Sequence, residues 1–179
     1  MKKRKSGICI SLAIIVIILM TIACGAGCER PVKTEAYLRI HVRANSNGEE
    51  DQTVKYRVRD AVVNYLTPFV AECLSKEEAV GMIESKARTL EGIADAVLRQ
   101  WGFSYTASVA VRREKFPTRT YDRETLPAGY YDAVIVGLGE AKGDNWWCVV
   151  YPPLCFLSES PVEYRSKIAD IIDRFRKKK

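Results

Sequence analysis

One stretch of the chain reads Asn145-Trp146-Trp147-Cys148-Val149-Val150-Tyr151-Pro152-Pro153-Leu154-Cys155-Phe156. It predicts an aromatic strand from Trp146 to Tyr151, which ends where Pro152 and Pro153 withhold the backbone donors that a sheet requires. Cys155 lies just beyond this break. The chain can therefore fold back there and bring the sulfurs of Cys148 and Cys155 together.

Another strand is indicated near the start of the chain, where apolar and polar residues alternate. Such alternation is typical of a strand with one face in the core and the other in solvent. The apolar face carries Leu38, Ile40, Val42 and Ala44, and the polar face carries Arg39, His41 and Arg43. We expect the polar face to be solvated.

A helix is predicted directly after this strand. The turn Asn45–Gly48 precedes it, and Ser46 with Glu49 has the spacing of a capping box. The helical period of apolar residues begins at Asp51, and we expect the helix to stop at Pro68.

A second, longer helix follows on the same connection. It opens with the capping box Ser75 and Glu78 and ends at Gly102, a natural left-handed cap. Alternating residues from Phe103 to Val111 then predict a strand. The connection over residues 116–129 is long for a structureless loop in a small domain, which favours a functional role for it.

The last elements are two strands and a helix. Residues 131–138 predict a strand that turns at residues 143–145 into the tryptophan strand, as a hairpin. Ser160 with Glu163 forms another capping box, and the apolar stripe from Ile168 to Phe175 predicts an amphipathic helix.

The order of these elements predicts the fold class. Because both early helices lie on one connection, the first strand can join the sheet parallel to a neighbour, while the later strands pair as antiparallel hairpins. We predict an α+β fold. It is a single domain with a mixed sheet of about four strands, two helices on the first crossover and a C-terminal amphipathic helix.

The N-terminus carries an export signal. Cations at residues 2–5 precede an apolar run from Ile8 to Ala23, and small residues follow as signal-peptidase sites. The run is slightly shorter than the ~20 residues that a spanning helix needs, so cleavage and retention as an anchor both remain open. Either outcome places the residues after about 28 on the outer side of the membrane.

These sequence patterns together divide the chain into four segments. Residues 1–28 are a signal peptide or N-terminal membrane anchor, and residues 29–36 are a linker. Residues 37–157 form the folded domain, and residues 158–179 form a C-terminal amphipathic helix with a basic tail.

The formal net charge of +6 belongs to the ends of the chain. Without the four cations of residues 2–5 and the five of residues 174–179, the body of the chain is left at −3. This is the wrong sign for a face that binds duplex nucleic acid. We expect no nucleic-acid partner, and membrane contact only through the N-terminal segment.

The positions of the six cysteines do not support three disulfides. Cys24 lies where a lipoprotein would be acylated, although Thr21 stands where such signals usually have leucine. Cys73 has an apolar context that is typical of a free core cysteine. Cys148 and Cys155 are the disulfide candidates, and closing so short a loop would contribute roughly 2 to 3 kcal/mol.

Few residues have the pattern of a catalytic or cofactor site. His41 is the only histidine, and no cysteine or carboxylate has the spacing of a further metal ligand. The glycines at 137 and 139 precede a hairpin turn rather than a helix, which argues against a nucleotide loop. The carboxylates of residues 49–51 suit a helix N-terminus without catalysis. We expect no metal and no cofactor.

Candidate partner-binding residues lie on two strands. Trp146 and Trp147 must point to opposite faces of a strand, so only one can enter the same core layer. The other packs against the C-terminal helix or is an exposed anchor of a protein interface. Arg39, His41 and Arg43 form a second candidate surface.

Three motifs together carry a family resemblance. Besides residues 145–156 they read Leu38-Arg39-Ile40-His41-Val42-Arg43-Ala44-Asn45-Ser46-Asn47-Gly48-Glu49-Glu50-Asp51-Gln52 and Leu126-Pro127-Ala128-Gly129-Tyr130-Tyr131. In this order and spacing, the chain from about Tyr37 to Leu157 resembles stage II sporulation protein R. That family consists of exported signalling proteins of endospore-forming bacteria.

The resemblance implies a developmental role. A protein of this family is made in the forespore and exported to the space between the forespore and mother-cell membranes, where it is free or anchored to the forespore membrane. There it contacts the extracytoplasmic part of a membrane-embedded protease, which then cleaves the precursor of the mother-cell sigma factor, sigma-E. Because the partner does the cutting, the resemblance implies that this chain is not an enzyme.

An enzyme of a different class remains as the alternative. Cys148 on a rigid strand would be a nucleophile if the His41 imidazole lowered its pKa, as in a thiol hydrolase that acts outside the cytoplasm. Otherwise His41 is only the middle of a polar strand face. Separate replacements of Cys148 and Cys155 by serine distinguish the two functions, because a disulfide predicts equal damage from both.

Overall fold

The computed structural model describes residues 34–121, 124–156 and 162–178. The predictions for the export signal, its cleavage and lipidation at Cys24 lie outside these residues, as does the box that begins at Ser160. Among the described residues, no helix has the length and apolarity to cross a membrane.

Helices and strands follow in the predicted order, with two short strands added. After a 3₁₀ turn at Thr34–Ala36 they are β1 Leu38–Arg43, α1 Glu49–Val70, α2 Lys76–Gln100, β2 Ala107–Phe116, β3 Arg119–Tyr121, β4 Glu124–Leu126, β5 Gly129–Leu138, β6 Asn145–Tyr151 and α3 Val162–Lys178. The predicted α+β fold with a mixed four-stranded sheet, two helices on the first crossover and a C-terminal helix is confirmed.

The four main strands lie in the order β2-β5-β1-β6. Strand β1 runs parallel to β5 and antiparallel to β6, so the predicted parallel neighbour of the first strand is confirmed. The predicted hairpin between β5 and β6 is wrong, because β1 lies between them. A parallel pair such as β1 and β5 is consistent with the two-helix crossover, and β6 then takes the free edge of β1.

The loop from β5 to β6 crosses the end of β1 to make this order possible. Gly143 N donates to Ala44 O at 2.9 Å, and Lys142 N donates to Asn45 O at 3.1 Å. A Cβ atom on Gly143 would lie 2.2 Å from Ser46 O. Only glycine therefore allows the loop to lie directly on the turn that follows β1.

The main core lies between the sheet and the two long helices. Its buried side chains come from β1 and β5 (Ile40, Val42, Val134 and Val136), from α1 (Val58, Val62 and Leu66) and from α2 (Ile83, Leu90 and Leu98). Burying one such side chain stabilises the fold by about 1.5 to 3 kcal/mol before the entropy cost. This face of β1 is the one that the alternation predicted to be apolar.

Helix α1 differs from its prediction at both ends. It continues through Pro68 to Val70, so the predicted stop at Pro68 is wrong. A proline in the last turn removes only its own N–H, and Thr67 Oγ1 donates to Val63 O at 2.8 Å in the same turn. The prediction of a capping box from Ser46 and Glu49 is also wrong, because Gly48 is the N-cap and no side chain caps the helix.

Ser46 instead belongs to a network around the carboxylate of Asp51. Asp51 accepts from Ser46 Oγ at 2.6 Å, from Asn45 Nδ2 at 2.9 Å and from Tyr105 Oη at 2.6 Å. Burial alone would raise the pKa of Asp51, but these hydrogen bonds hold it below its ordinary value. The network ties the turn after β1 to the chain just before β2.

The predicted limits of α2 are confirmed. Ser75 Oγ accepts from Glu78 N at 3.1 Å, while Glu78 Oε2 accepts from Leu74 N at 2.7 Å. Gly102 has φ +83°, the left-handed conformation expected of the residue after the helix.

The connection over residues 116–129 is not a structureless loop. It contains β3 and β4, which pair as an antiparallel ribbon with Thr120 opposite Thr125. Strands of three residues are too short to show a reliable alternation, which is why the sequence did not predict them.

Candidate partner-binding surface

The polar face of β1 is not solvated. Arg39 and His41 are both fully buried, which corrects the expectation of an exposed Arg39–His41–Arg43 surface. Neither Arg39 nor His41 can contact a partner without rearrangement.

The last residues of β2 and the first residues of β5 bend over this face of β1 and cover it. In the β2–β5 ladder, Phe116 lies opposite Gly129. Gly129 is six residues before Ile135, which lies opposite His41 in the β1–β5 ladder. The rings of Phe116 and His41 nevertheless lie 5.5 Å apart. A flat sheet would hold them much farther apart, so the β2–β5 ribbon must curve over β1.

Arg39 is held inside the resulting cluster by aromatic faces. Its guanidinium carbon lies 4.2 Å from the centre of the Phe116 ring and 4.8 Å from that of Tyr131. It donates to Tyr121 Oη at 2.7 Å and to Pro117 O at 3.4 Å. No carboxylate among the described residues pairs with it, so cation–π contacts and these two hydrogen bonds compensate for its burial. Arg39 therefore fastens the β3–β4 ribbon to the sheet.

His41 lies beside Arg39 as a neutral imidazole. Its ring stacks on Trp147 at 5.0 Å, and neither ring nitrogen makes a hydrogen bond of good geometry within the described residues. Burial, followed by the Arg43 charge, lowers the pKa of His41 to about 4, and Glu114 and Asn145 offset this only in part. His41 is therefore uncharged at neutral pH.

The thiol-hydrolase pair is not assembled. In the β1–β6 ladder His41 lies opposite Trp147, whereas Cys148 lies opposite Ile40. Adjacent positions of a strand face opposite sides, so the sheet separates His41 from Cys148. Cys148 also forms a disulfide with Cys155, with an Sγ–Sγ distance of 1.97 Å. This bond ties β6 to the segment that follows its proline break.

Arg43 and Cys73 have internal roles. Arg43 is half-buried, donates to Asn145 Oδ1 at 3.1 Å and lies 3.6 Å from a Glu114 carboxylate oxygen. Cys73 is free and buried, and burial raises its pKa, which disfavours the reactive thiolate. In the described part of the chain, no group of three or more His, Cys, Asp or Glu side chains could hold a metal ion.

Both tryptophans are half-buried, and they point to opposite faces as predicted. Neither of them is a fully exposed anchor. Trp147 belongs to the aromatic cluster, with its ring 4.8 Å from Phe116. Trp146 packs against the helix-side core and leaves one part of its ring at the surface.

Trp146 is one end of a surface that we call the tryptophan patch, formed by Tyr56, Arg59 and Trp146. The guanidinium carbon of Arg59 lies 5.4 Å from the Trp146 ring centre and 5.1 Å from that of Tyr56. Tyr56 is 44% exposed. Sequence reasoning missed Tyr56 and Arg59, although their spacing of three residues places them on neighbouring positions of one helix.

Tryptophan, tyrosine and arginine are the residue types that most often carry binding energy in protein interfaces. An arginine held between two rings has also lost part of its side-chain freedom before a partner arrives. Of the predicted partner-binding residues, Trp146 lies in this patch, whereas Arg39 and His41 are fully buried.

Comparisons with known proteins identify the family of this chain. The family model for stage II sporulation protein R matches residues 34–161, which include the sheet, both long helices and the disulfide. The chain belongs to the stage II sporulation protein R family. A protein of this family from Bacillus subtilis (strain 168), named stage II sporulation protein R, is 40% identical over 123 residues. The match covers 69% of this chain but only 55% of that relative, and no solved structure matches.

Proposed function

We propose that this protein is an exported sporulation signal made in the forespore. In this proposal it activates a membrane-embedded protease that processes the sigma-E precursor in the mother cell. The observation that carries the proposal is family membership across residues 34–161, which supports a sporulation role. The N-terminal sequence pattern supports export, because cations precede an apolar run and small residues.

The geometry supports a binding role over the thiol-hydrolase alternative. A nucleophilic cysteine needs a free thiolate within reach of a base. Cys148 is bonded to Cys155, and His41 lies across the sheet in an aromatic cluster. No observation favours the hydrolase over a ligand.

Activation by a ligand requires that it bind the active state of the protease more tightly than the inactive one. A hundredfold preference corresponds to about 2.7 kcal/mol, which one or two well-buried anchors can supply. The tryptophan patch offers such anchors, because Tyr56 and Trp146 present ring surface and the Arg59 guanidinium, which pairs with Asp60 at 2.5 Å, lies between the two rings. We propose that this patch contacts the extracytoplasmic part of the protease.

The test is co-expression of the full chain with the protease and its sigma-E precursor in a host that does not sporulate. The wild-type chain should cause processing. The double variant Tyr56→Ala with Arg59→Glu should abolish most of it without loss of the folded state.

A matched control lies on the other side of α1, where the Arg57 guanidinium carbon is 5.1 Å from the Trp101 ring. The variant Arg57→Glu with Trp101→Ala removes an equivalent pair and should retain processing. Thermal unfolding of each variant separates loss of contact from loss of stability. Processing that falls only in proportion to stability would contradict the role of the patch, and cleavage of the precursor without the protease would contradict the proposed function.

A further inference from the structure

Residues 152–156, which we call the proline segment, follow β6 but lie outside the strands of the sheet. Pro152 and Pro153 have no N–H group to donate. The backbone hydrogen bonds of the segment are local, since Leu154 N donates to Pro152 O at 2.7 Å and Phe156 N donates to Pro153 O at 3.2 Å. The disulfide described above therefore holds the proline segment against β6.

Helix α3 packs on this segment. Ile172 and Phe175 of α3 line one crevice together with Pro152 and Leu154. The Phe175 ring also lies 5.1 Å from the ring of Tyr37, at the start of β1. The proline segment is therefore part of the surface that buries the apolar side of α3.

The ion pairs of α3 add less to its attachment. Lys167 pairs with Glu72, and both side chains are more than half exposed. Arg176 Nε lies 3.6 Å from a carboxylate oxygen of Glu124. Ion pairs at a protein surface contribute little to stability. The attachment of α3 therefore depends mainly on apolar packing, of which the proline segment supplies a part.

The disulfide can form only where thiols are oxidised, which is outside the cytoplasm. Cys155 is half-buried and Cys148 is fully buried, so an oxidant reaches Cys155 first. The Cys155 thiolate attacks the disulfide of a thiol oxidant, which gives a mixed disulfide and one oxidant thiolate. The Cys148 thiolate then attacks Cys155 Sγ and releases the second oxidant thiolate. Two electrons and two protons pass to the oxidant, which becomes a dithiol.

Cys73 does not compete for this reaction in the folded domain. Its Sγ donates to Phe69 O at 3.3 Å, and the residue is buried. Burial raises the pKa of Cys73 and so disfavours the thiolate that attack requires. Oxidation of the folded domain therefore leads to the bond between Cys148 and Cys155.

We propose that the Cys148–Cys155 bond is a redox-dependent latch for α3, which a thiol oxidant outside the cytoplasm closes after export. In the reduced chain the proline segment leaves its position and α3 separates from the domain. The core between the sheet, α1 and α2 keeps its own contacts in both forms. That only the latched form signals rests on the proposed function, and it keeps the protein inactive in the compartment where it is made.

Hydrogen exchange of the purified full chain, oxidised and reduced, tests the latch. On reduction the amides of α3 should exchange about tenfold faster or more, because closing a short loop shifts an equilibrium by at least that factor. The amides of α2 should change by less than about twofold, since their core is intact. Equal acceleration of α2 and α3, or unchanged exchange of α3, would overturn the proposal.

Cysteine variants provide the controls for this measurement. Cys148→Ala with Cys155→Ala should leave α3 in fast exchange with and without reductant. Cys73→Ala keeps the disulfide and should retain the full response to reduction. Slow exchange of α3 in the double variant, or loss of the response in Cys73→Ala, would count against the latch.

A pair of α3 variants separates docking of the helix from the disulfide itself. Ile172→Asp places a charge in the packed face of α3 while both cysteines remain, and it should lower sigma-E precursor processing about tenfold or more. Ser166→Asp introduces the same residue on the exposed face and should alter processing less than about twofold. Exchange of α2 at the wild-type rate identifies a domain that is still folded. Wild-type processing by Ile172→Asp with α3 in fast exchange would overturn the proposal.

The unchanged chain can be tested in a co-expression host that lacks its extracytoplasmic thiol oxidant. Alkylation of free thiols measures the oxidised fraction of the chain, and processing should follow this fraction in the mutant and parent hosts. Processing by fully reduced chain would overturn the proposal. A chain whose α3 opens on reduction but which causes no processing in either host would refute the proposed function and leave the latch standing.

Discussion

Acidification should destabilise this protein through one side chain, His41. In the folded state its pKa is lowered from 6.5 to about 4 by burial and by Arg43. Between these two pH values the unfolded chain binds a proton that the folded chain does not. The free energy of unfolding must therefore fall as the pH drops from about 6.5 towards 4, and this loss is complete below the folded pKa.

The size of the effect follows from the difference between the two pKa values. Each unit is worth about 1.4 kcal/mol, so the loss on going from pH 7 to pH 4.5 should be roughly 2 to 3 kcal/mol. That is a large share of the stability of a small domain. Because His41 is the only histidine, no second imidazole contributes.

Urea denaturation of the purified protein at pH 7 and pH 4.5 measures this difference. The variants His41→Phe and His41→Leu should both lose the pH-dependent part, whatever their stability at pH 7. Trp147→Phe keeps the imidazole and should retain most of it. Equal pH dependence in wild type and both His41 variants, or an imidazole that titrates near 6.5 by NMR, would refute the buried neutral histidine.

Two further predictions concern contacts that stabilise the folded state. Cys148→Ser and Cys155→Ser should each lower the free energy of unfolding by roughly 2 to 3 kcal/mol and the double variant by no more, as measured by denaturation under oxidising conditions; signalling lost from Cys148→Ser alone would speak against a shared disulfide. Tyr105→Phe should cost about 1.5 to 3 kcal/mol because it removes a hydrogen bond to a carboxylate. It should cost much less in an Asp51→Asn background, and additive effects in a double-mutant cycle would show that the two residues do not interact.

The sequence predicted the fold class well because the signals for it are local. Alternation in residues 38–44 identified β1 and its apolar face, and the Ser75–Glu78 box with Gly102 fixed the limits of α2. Each of these signals depends on contacts within a few residues. The parallel placement of β1 followed from chain connectivity, since two helices lie on one crossover.

Two predictions, the β5–β6 hairpin and the solvated face of β1, were wrong because contacts between residues far apart in the sequence determine these features. The short loop between β5 and β6 predicted a hairpin, but β1 lies between these two strands in the sheet. The polar face of β1 looked solvated because nothing in residues 38–44 shows that Phe116, 77 positions beyond Arg39, bends over it. A cation that packs on aromatic rings leaves no periodic signal in the sequence.

The candidate site was predicted only in part, for a related reason. Trp146 stood out by composition, whereas Tyr56 and Arg59 are ordinary residues of an amphipathic helix until β6 lies beside them.

In the function that we propose, the protein signals from outside the cytoplasm by activating a protease that it does not replace. The most direct measurement compares two forms in the co-expression host, one with residues 1–28 replaced by an unrelated export signal and one with these residues deleted. We expect processing of the sigma-E precursor with the exported form and none with the cytoplasmic form. Processing that continues with the cytoplasmic form at equal expression would contradict it.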